Sequence, residues 1–239
     1  MRANKTLLIA ALFITPYLSY ADETPTPGNL KGIKIVPIKE INIPAEVKNQ
    51  VKIGIAEEKQ KGYIENNDNY ASYFFKIKKE AAKQFYSEES NQYGVYDTHL
   101  KKNYHDIKLL FDFSGIKSIP EKDIIAYAAI GSYKKGGSHK KEGWDGIRVF
   151  FEKSYGNCSY QFMHIINAVL PVETTKYIVN NKPSFKDIEG NINDGFVYRV
   201  NWYNNDSINI LECANKNLDQ NIMSQLVETA NKIDKDMFG

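Results

Sequence analysis

The chain has little of what catalysis or metal binding usually requires. Its 239 residues include only two cysteines and four histidines. Nothing matches a Walker A loop, a GxGxxG turn after a strand, an HExxH helix, a GxSxG elbow or an EF-hand loop. Each of those motifs sets a backbone nest, a ligand pair or a nucleophile at a fixed spacing. Their absence lowers the nucleotide, zinc-protease and serine-hydrolase classes together, and no cofactor, metal or catalytic residue is expected. Long apolar runs are scarce as well. Beyond residue 21 no stretch approaches the ~18 apolar residues of a membrane-spanning helix. The longest central run, residues 124–130, is the size of a strand.

Charge of one sign is also lacking. Lys and Arg number 31 against 29 Asp and Glu, and the surplus of two lies wholly in Arg2 and Lys5. Beyond residue 21 the balance is even, whereas a nucleic-acid binder normally shows a positive surplus or stripe. Nucleic acid is therefore not an expected partner.

What is present begins with residues 1–21. Arg2 and Lys5 precede the apolar run 6–14, Pro16 breaks it, and Ser19 and Ala21 supply small residues before Asp22. This is the layout of a secretory signal peptide, so the expected location is periplasmic or extracellular. In an oxidising compartment an isolated cysteine pair reads as a disulfide, here Cys158 with Cys213. Closing that loop would stabilise the fold by about 4 kcal/mol in the chain-entropy treatment. The same reading removes Cys158 as a nucleophile for His164.

Residues 22–29 hold two prolines and a glycine and no large apolar side chain, and read as a flexible segment. Residues 33–38 suit a short edge strand around Pro37. Pro44 and the spacing of Val47, Val51 and Ile55 suit a helix to about residue 61, although Val51, Ile53 and Ile55 fit a strand period too. Tyr70, Tyr73, Phe74, Ile77, Ala81 and Phe85 share one face of a helix that Asn69 can cap. Period-two patterning follows at 107–113, 124–133, 147–153, 158–165, 174–179, 196–203 and 207–213, with a hairpin signal at Asn204-Asn205-Asp206. Leu218, Ile222, Leu226, Ala230, Ile233 and Met237 form the apolar stripe of a last helix, capped by Asn217 or Asp219. The expected fold is α+β: an antiparallel sheet of five or six strands, helices before it, and one C-terminal helix packed on a face. Residues 30–239 read as one domain, with 45–89 as a candidate helical subdomain.

Three segments carry the functional expectations. His99 and His105 lie with Asp97 and Asp106, a grouping that acid–base or metal chemistry could use but whose spacing is not diagnostic. Tyr86, Tyr93, Tyr96 and Tyr104 fall in a polar stretch and suit either a contact surface or a cap on the sheet. Residues 134–146 hold four lysines, four glycines, His139 and Trp144 between two strands. That is long for a hairpin, and Trp with Lys suits an anionic or sugar-like ligand. Lys134, His139, Lys140 and Trp144 are the candidate binding residues. The leading reading is an exported, non-enzymatic protein that binds a protein, glycan or small anionic ligand through this loop and nearby aromatics. The alternatives are an exported His/Asp hydrolase and a structural envelope or appendage component.

Overall fold

The structure, a computed structural model, describes residues 30, 32–76, 100–134, 142–165 and 167–239. Its elements in chain order are β1 (Ile33–Val36), α1 (Ala45–Lys61), β2 (Ile64–Glu65), α2 (Tyr70–Lys76), β3 (Ile124–Lys134), β4 (Gly143–Lys153), β5 (Gly156–His164), β6 (Ala168–Pro171), β7 (Lys176–Val179), β8 (Lys182–Asn191), β9 (Gly195–Asn204), β10 (Ser207–Asn215) and α3 (Gln220–Phe238). β3-β4-β5 form one antiparallel meander and β8-β9-β10 another, with short turns at β4–β5, β8–β9 and β9–β10. The two meanders join through an antiparallel β5–β10 seam, giving the order β3-β4-β5-β10-β9-β8. β2, parallel, and β7, antiparallel, share the outer edge of β8. β1 and β6 form a separate parallel pair. The result is an α+β fold whose eight-stranded mixed sheet carries the C-terminal helix on one face.

Alternation along the strands explains that face. Phe196, Tyr198, Val200 and Trp202 of β9 stand beside Tyr160, Leu211, Val149 and Phe151 in one core. Ile222, Leu226, Ala230 and Ile233 of α3 close over it. Asp219 caps α3 by accepting from the Asn221 N–H at 2.9 Å. Between β7 and β8, Asn180 and Asn181 take positive φ, which a two-residue hairpin of this type requires.

One polar side chain interrupts the apolar stripe of α3. Asp234 is buried and accepts from the Trp202 indole at 2.9 Å, Lys182 Nζ at 2.6 Å and Asn180 Nδ2 at 2.8 Å. It fastens the helix to β9 and to the β7–β8 turn. Asp234→Asn keeps one acceptor but loses the charge facing Lys182, and should lower unfolding stability by about 1–2 kcal/mol in urea titrations.

The structure departs from the sequence reading in several places. Residues 107–113 are not a strand of the sheet. The β4–β5 pairing runs out at Gly146–Met163, and Trp144 then bonds to Lys108 and Leu110, an isolated bridge at Leu109. The alternating pattern there belongs to an irregular segment whose Ile107 packs on the core, joined by Ile116 and Ile119 further along. The ambiguous segment after Pro44 is the helix α1, with Val51 and Gly54 buried. The aromatic helix is described over Tyr70–Lys76 only, and its expected continuation lies outside the described residues. β6 and β8 had no clear periodic signal, and the sheet has eight strands rather than five or six.

The second face of the sheet is covered in patches. The β1–β6 pair packs through Ile33, Ala168 and Leu170 on Phe185, Tyr203 and Ile208. At the other end Ala71 and Phe74 of α2 meet Val197 and Ala214. Along β9, Val197 lies under the helix and Tyr203 under the strand pair, and Arg199 stands between them.

Candidate functional site

Arg199 belongs to a row of charged and polar side chains that crosses this second face from strand to strand. In register, Asp187 of β8 lies opposite Arg199 of β9, which lies opposite Glu212 of β10, which lies opposite Ser159 of β5. Gln161 of β5 pairs in turn with Arg148 of β4, and Glu189 follows Asp187 on the same face of β8. Strand alternation places all of them on the face away from α3.

Glu212 is the hub. Its carboxylate accepts from Arg199 Nε at 2.8 Å, the Tyr70 hydroxyl at 2.9 Å, Gln161 Nε2 at 3.2 Å and Arg148 Nη2 at 3.3 Å. Burial pushes its pKa upward, but Arg199 and Arg148 outweigh that and hold it below the usual carboxylate range. Arg148 also donates to Ser159 Oγ at 3.0 Å, and its guanidinium lies 4.8 Å from the Phe150 ring centre and 5.6 Å from that of Phe74. Burial and the adjacent Glu212 raise Tyr70 to about 12, so its hydroxyl remains a donor.

The β8 end is poorer in donors. Asp187 reaches Arg199 Nη1 at 3.3 and 3.4 Å, and Glu189 reaches the same nitrogen at 3.3 Å. Both carboxylates are nearly enclosed, at 4% and 6% side-chain exposure. Burial, reinforced by Glu189, Glu58 and Glu212 and opposed by Arg199, pushes Asp187 up to about 7. Beside Glu189 a shallow cleft is lined by Asn66, Asp68, Tyr70, Asn191 and Asp194.

The residues singled out from the sequence lie elsewhere. Trp144 is 7% exposed and meets Tyr133 edge-on at 5.6 Å, so its indole is committed to the core rather than presented to a ligand. Lys134 lies 3.6 Å from Asp145, whose other carboxylate oxygen accepts from the Ser132 N–H at 2.6 Å. The Tyr133 hydroxyl donates to Glu142 at 2.7 Å, and Lys108 pairs with the same carboxylate at 3.0 Å. These contacts fasten the two legs of the 134–146 loop. His139 and Lys140 lie outside the described residues, as do His99, Tyr86, Tyr93 and Tyr96.

Tyr104 packs against Tyr127 and Phe113 at 5.6 and 5.2 Å, a cap on the sheet. His105 is exposed beside the Tyr104 ring, and His164 meets Phe111 and Phe162 edge-on, with Nδ1 3.2 Å from the Asp206 carbonyl. Among the described residues no group of three or more His, Cys, Asp or Glu converges to hold a metal, and no helix is long and apolar enough to cross a membrane. Cys158 and Cys213 are direct partners across the β5–β10 seam, with their sulfurs 1.99 Å apart.

The charged row had one trace in the sequence, the alternation Arg148, Phe150, Glu152 opposite Val149 and Phe151. Without knowledge that the second face is covered, that alternation reads as a solvated side.

Comparison with known protein families, curated proteins and solved structures finds no match. Function therefore rests on geometry and chemistry alone.

Proposed function

We propose that the protein is an exported, non-enzymatic binding protein that engages an anionic group on a protein, glycan or small-molecule partner through its 134–146 loop. One observation carries this reading: Tyr133, Lys134, Glu142, Trp144 and Asp145 tie the base of the loop to the sheet and to Lys108. The residues between those legs, 135–141, include Lys135, His139, Lys140 and Lys141 and no acidic residue. Positive charge concentrated in residues 135–141 attracts anions even when the chain is neutral beyond residue 21. Trp144 then serves as part of the base, and recognition falls to the cationic residues of 135–141. Export is supported by the signal-like residues 1–21 and by the cysteine pair.

Retention on immobilised heparin, a sulfated polysaccharide, tests the reading. His139→Ala with Lys140→Glu should weaken affinity by about tenfold, the scale of one charge-assisted contact, and should leave the thermal midpoint unchanged. Equal retention of the variant and the wild type would discard the loop as the contact site.

A further inference from the structure

The charged row carries a consequence independent of the loop. Asp187, Glu189 and Glu212 face Arg148 and Arg199, so three buried carboxylates meet two guanidiniums and leave one negative charge in surplus. The deficit is local. Glu212 takes four donors from both arginines, Gln161 and Tyr70, while Asp187 and Glu189 share a single nitrogen of Arg199. Two carboxylates on one strand face, both close to the same donor and nearly closed to water, repel each other unless a proton sits on one of them.

We infer that the β8 end of this row is a proton-binding site, in which Asp187 holds a proton against Glu189, and that losing this proton weakens the fold as the surroundings change from acidic to neutral. Most of the charged groups around Asp187 act in one direction. Glu189 on its own strand, Glu58 from α1 and Glu212 from β10 all oppose its ionisation, and Arg199 from β9 favours it. Glu58 is itself buried enough to be raised, with Lys186 and Lys176 partly offsetting that. Arg148 from β4 and Tyr70 from α2 spend their contacts on Glu212, Ser159 and each other.

The sign of the pH dependence follows from linkage. A carboxyl that binds its proton more tightly folded than unfolded adds stability at low pH and loses it as pH rises through the folded value, here about 7. Between pH 5 and 7 the unfolding equilibrium constant of the intact, oxidised chain should rise by up to about tenfold per pH unit and then level off. Asp187→Asn, which keeps the shape and cannot ionise, should remove that slope. Equal slopes in wild type and variant would overturn the inference, and so would a slope removed by Glu189→Gln but not by Asp187→Asn. Carboxyl NMR titration of the wild type needs no variant to fold. An Asp187 signal that titrates near neutral pH supports the site, and one that titrates in the ordinary carboxylate range refutes it.

Discussion

Arg199→Met should cost about 3–5 kcal/mol of folding stability, the range for removing one partner of a buried ion pair. Methionine fills most of the volume of the arginine stem, so the loss comes from charge. Among the described residues Asp187 and Glu189 would keep no ion-pair partner, and Glu212 would retain Arg148, Gln161 and Tyr70. Against a total stability of about 5–15 kcal/mol, that is enough to unfold a weak domain near body temperature. Urea titration of wild type and variant at pH 8, where Asp187 is ionised, gives the full effect. At pH 5 the loss should shrink, because a protonated Asp187 no longer needs the guanidinium. A companion carrying Arg199→Met, Asp187→Leu and Glu189→Gln should recover much of the loss, since an uncharged patch demands no partner. A loss below about 1 kcal/mol for Arg199→Met alone, the scale of an exposed pair, would show that solvent rather than Arg199 balances the carboxylates.

The second large effect is expected at the seam. Cys158→Ala with Cys213→Ala should lower stability by about 2–4 kcal/mol, most of it through a freer unfolded chain. The bond closes 55 residues and links the two strands through which the meanders meet, so no other covalent constraint among the described residues duplicates it. Both positions are buried in the α3-side core, where alanine is tolerated better than serine, whose hydroxyl would lack a partner. Urea midpoints of the wild type with and without reductant should differ as much as wild type and double variant do. A change under about 0.5 kcal/mol, the size of an ordinary surface substitution, would mean that the β5–β10 main-chain pairing holds the seam unaided.

The fold was legible where one side of an element meets core and the other meets solvent. α3 is such an element, and its apolar stripe marks the helix, the buried face and the Asp219 cap. The β9–β10 hairpin was legible from its Asn-Asn-Asp turn. β8 was not, because nearly all of it is buried and the residues of its second face, Phe185, Asp187 and Glu189, mix apolar and charged side chains. Residues 107–113 misled for the converse reason, since an extended segment lying on a core shows the same period as a paired strand. For the site, the sequence drew attention to glycine, lysine and tryptophan on a long loop, and the structure turns Trp144 inward. It also brings together Arg148, Arg199, Glu212, Asp187 and Glu189 from four strands, and one-dimensional spacing does not register such a cluster.

The order β3-β4-β5-β10-β9-β8 also has a meaning in time. A chain made from its N-terminus completes the first meander while β10 is still unmade, 43 residues beyond the end of β5 as far as Ser207. During that interval β5 presents a bare edge with Cys158, Tyr160 and Phe162 along one side, a surface prone to pair with the wrong strand. Until the second half pairs with it, that edge is the point at which the folding chain is most open to mispairing. Assembly is complete only when the last meander docks and α3 closes over both halves.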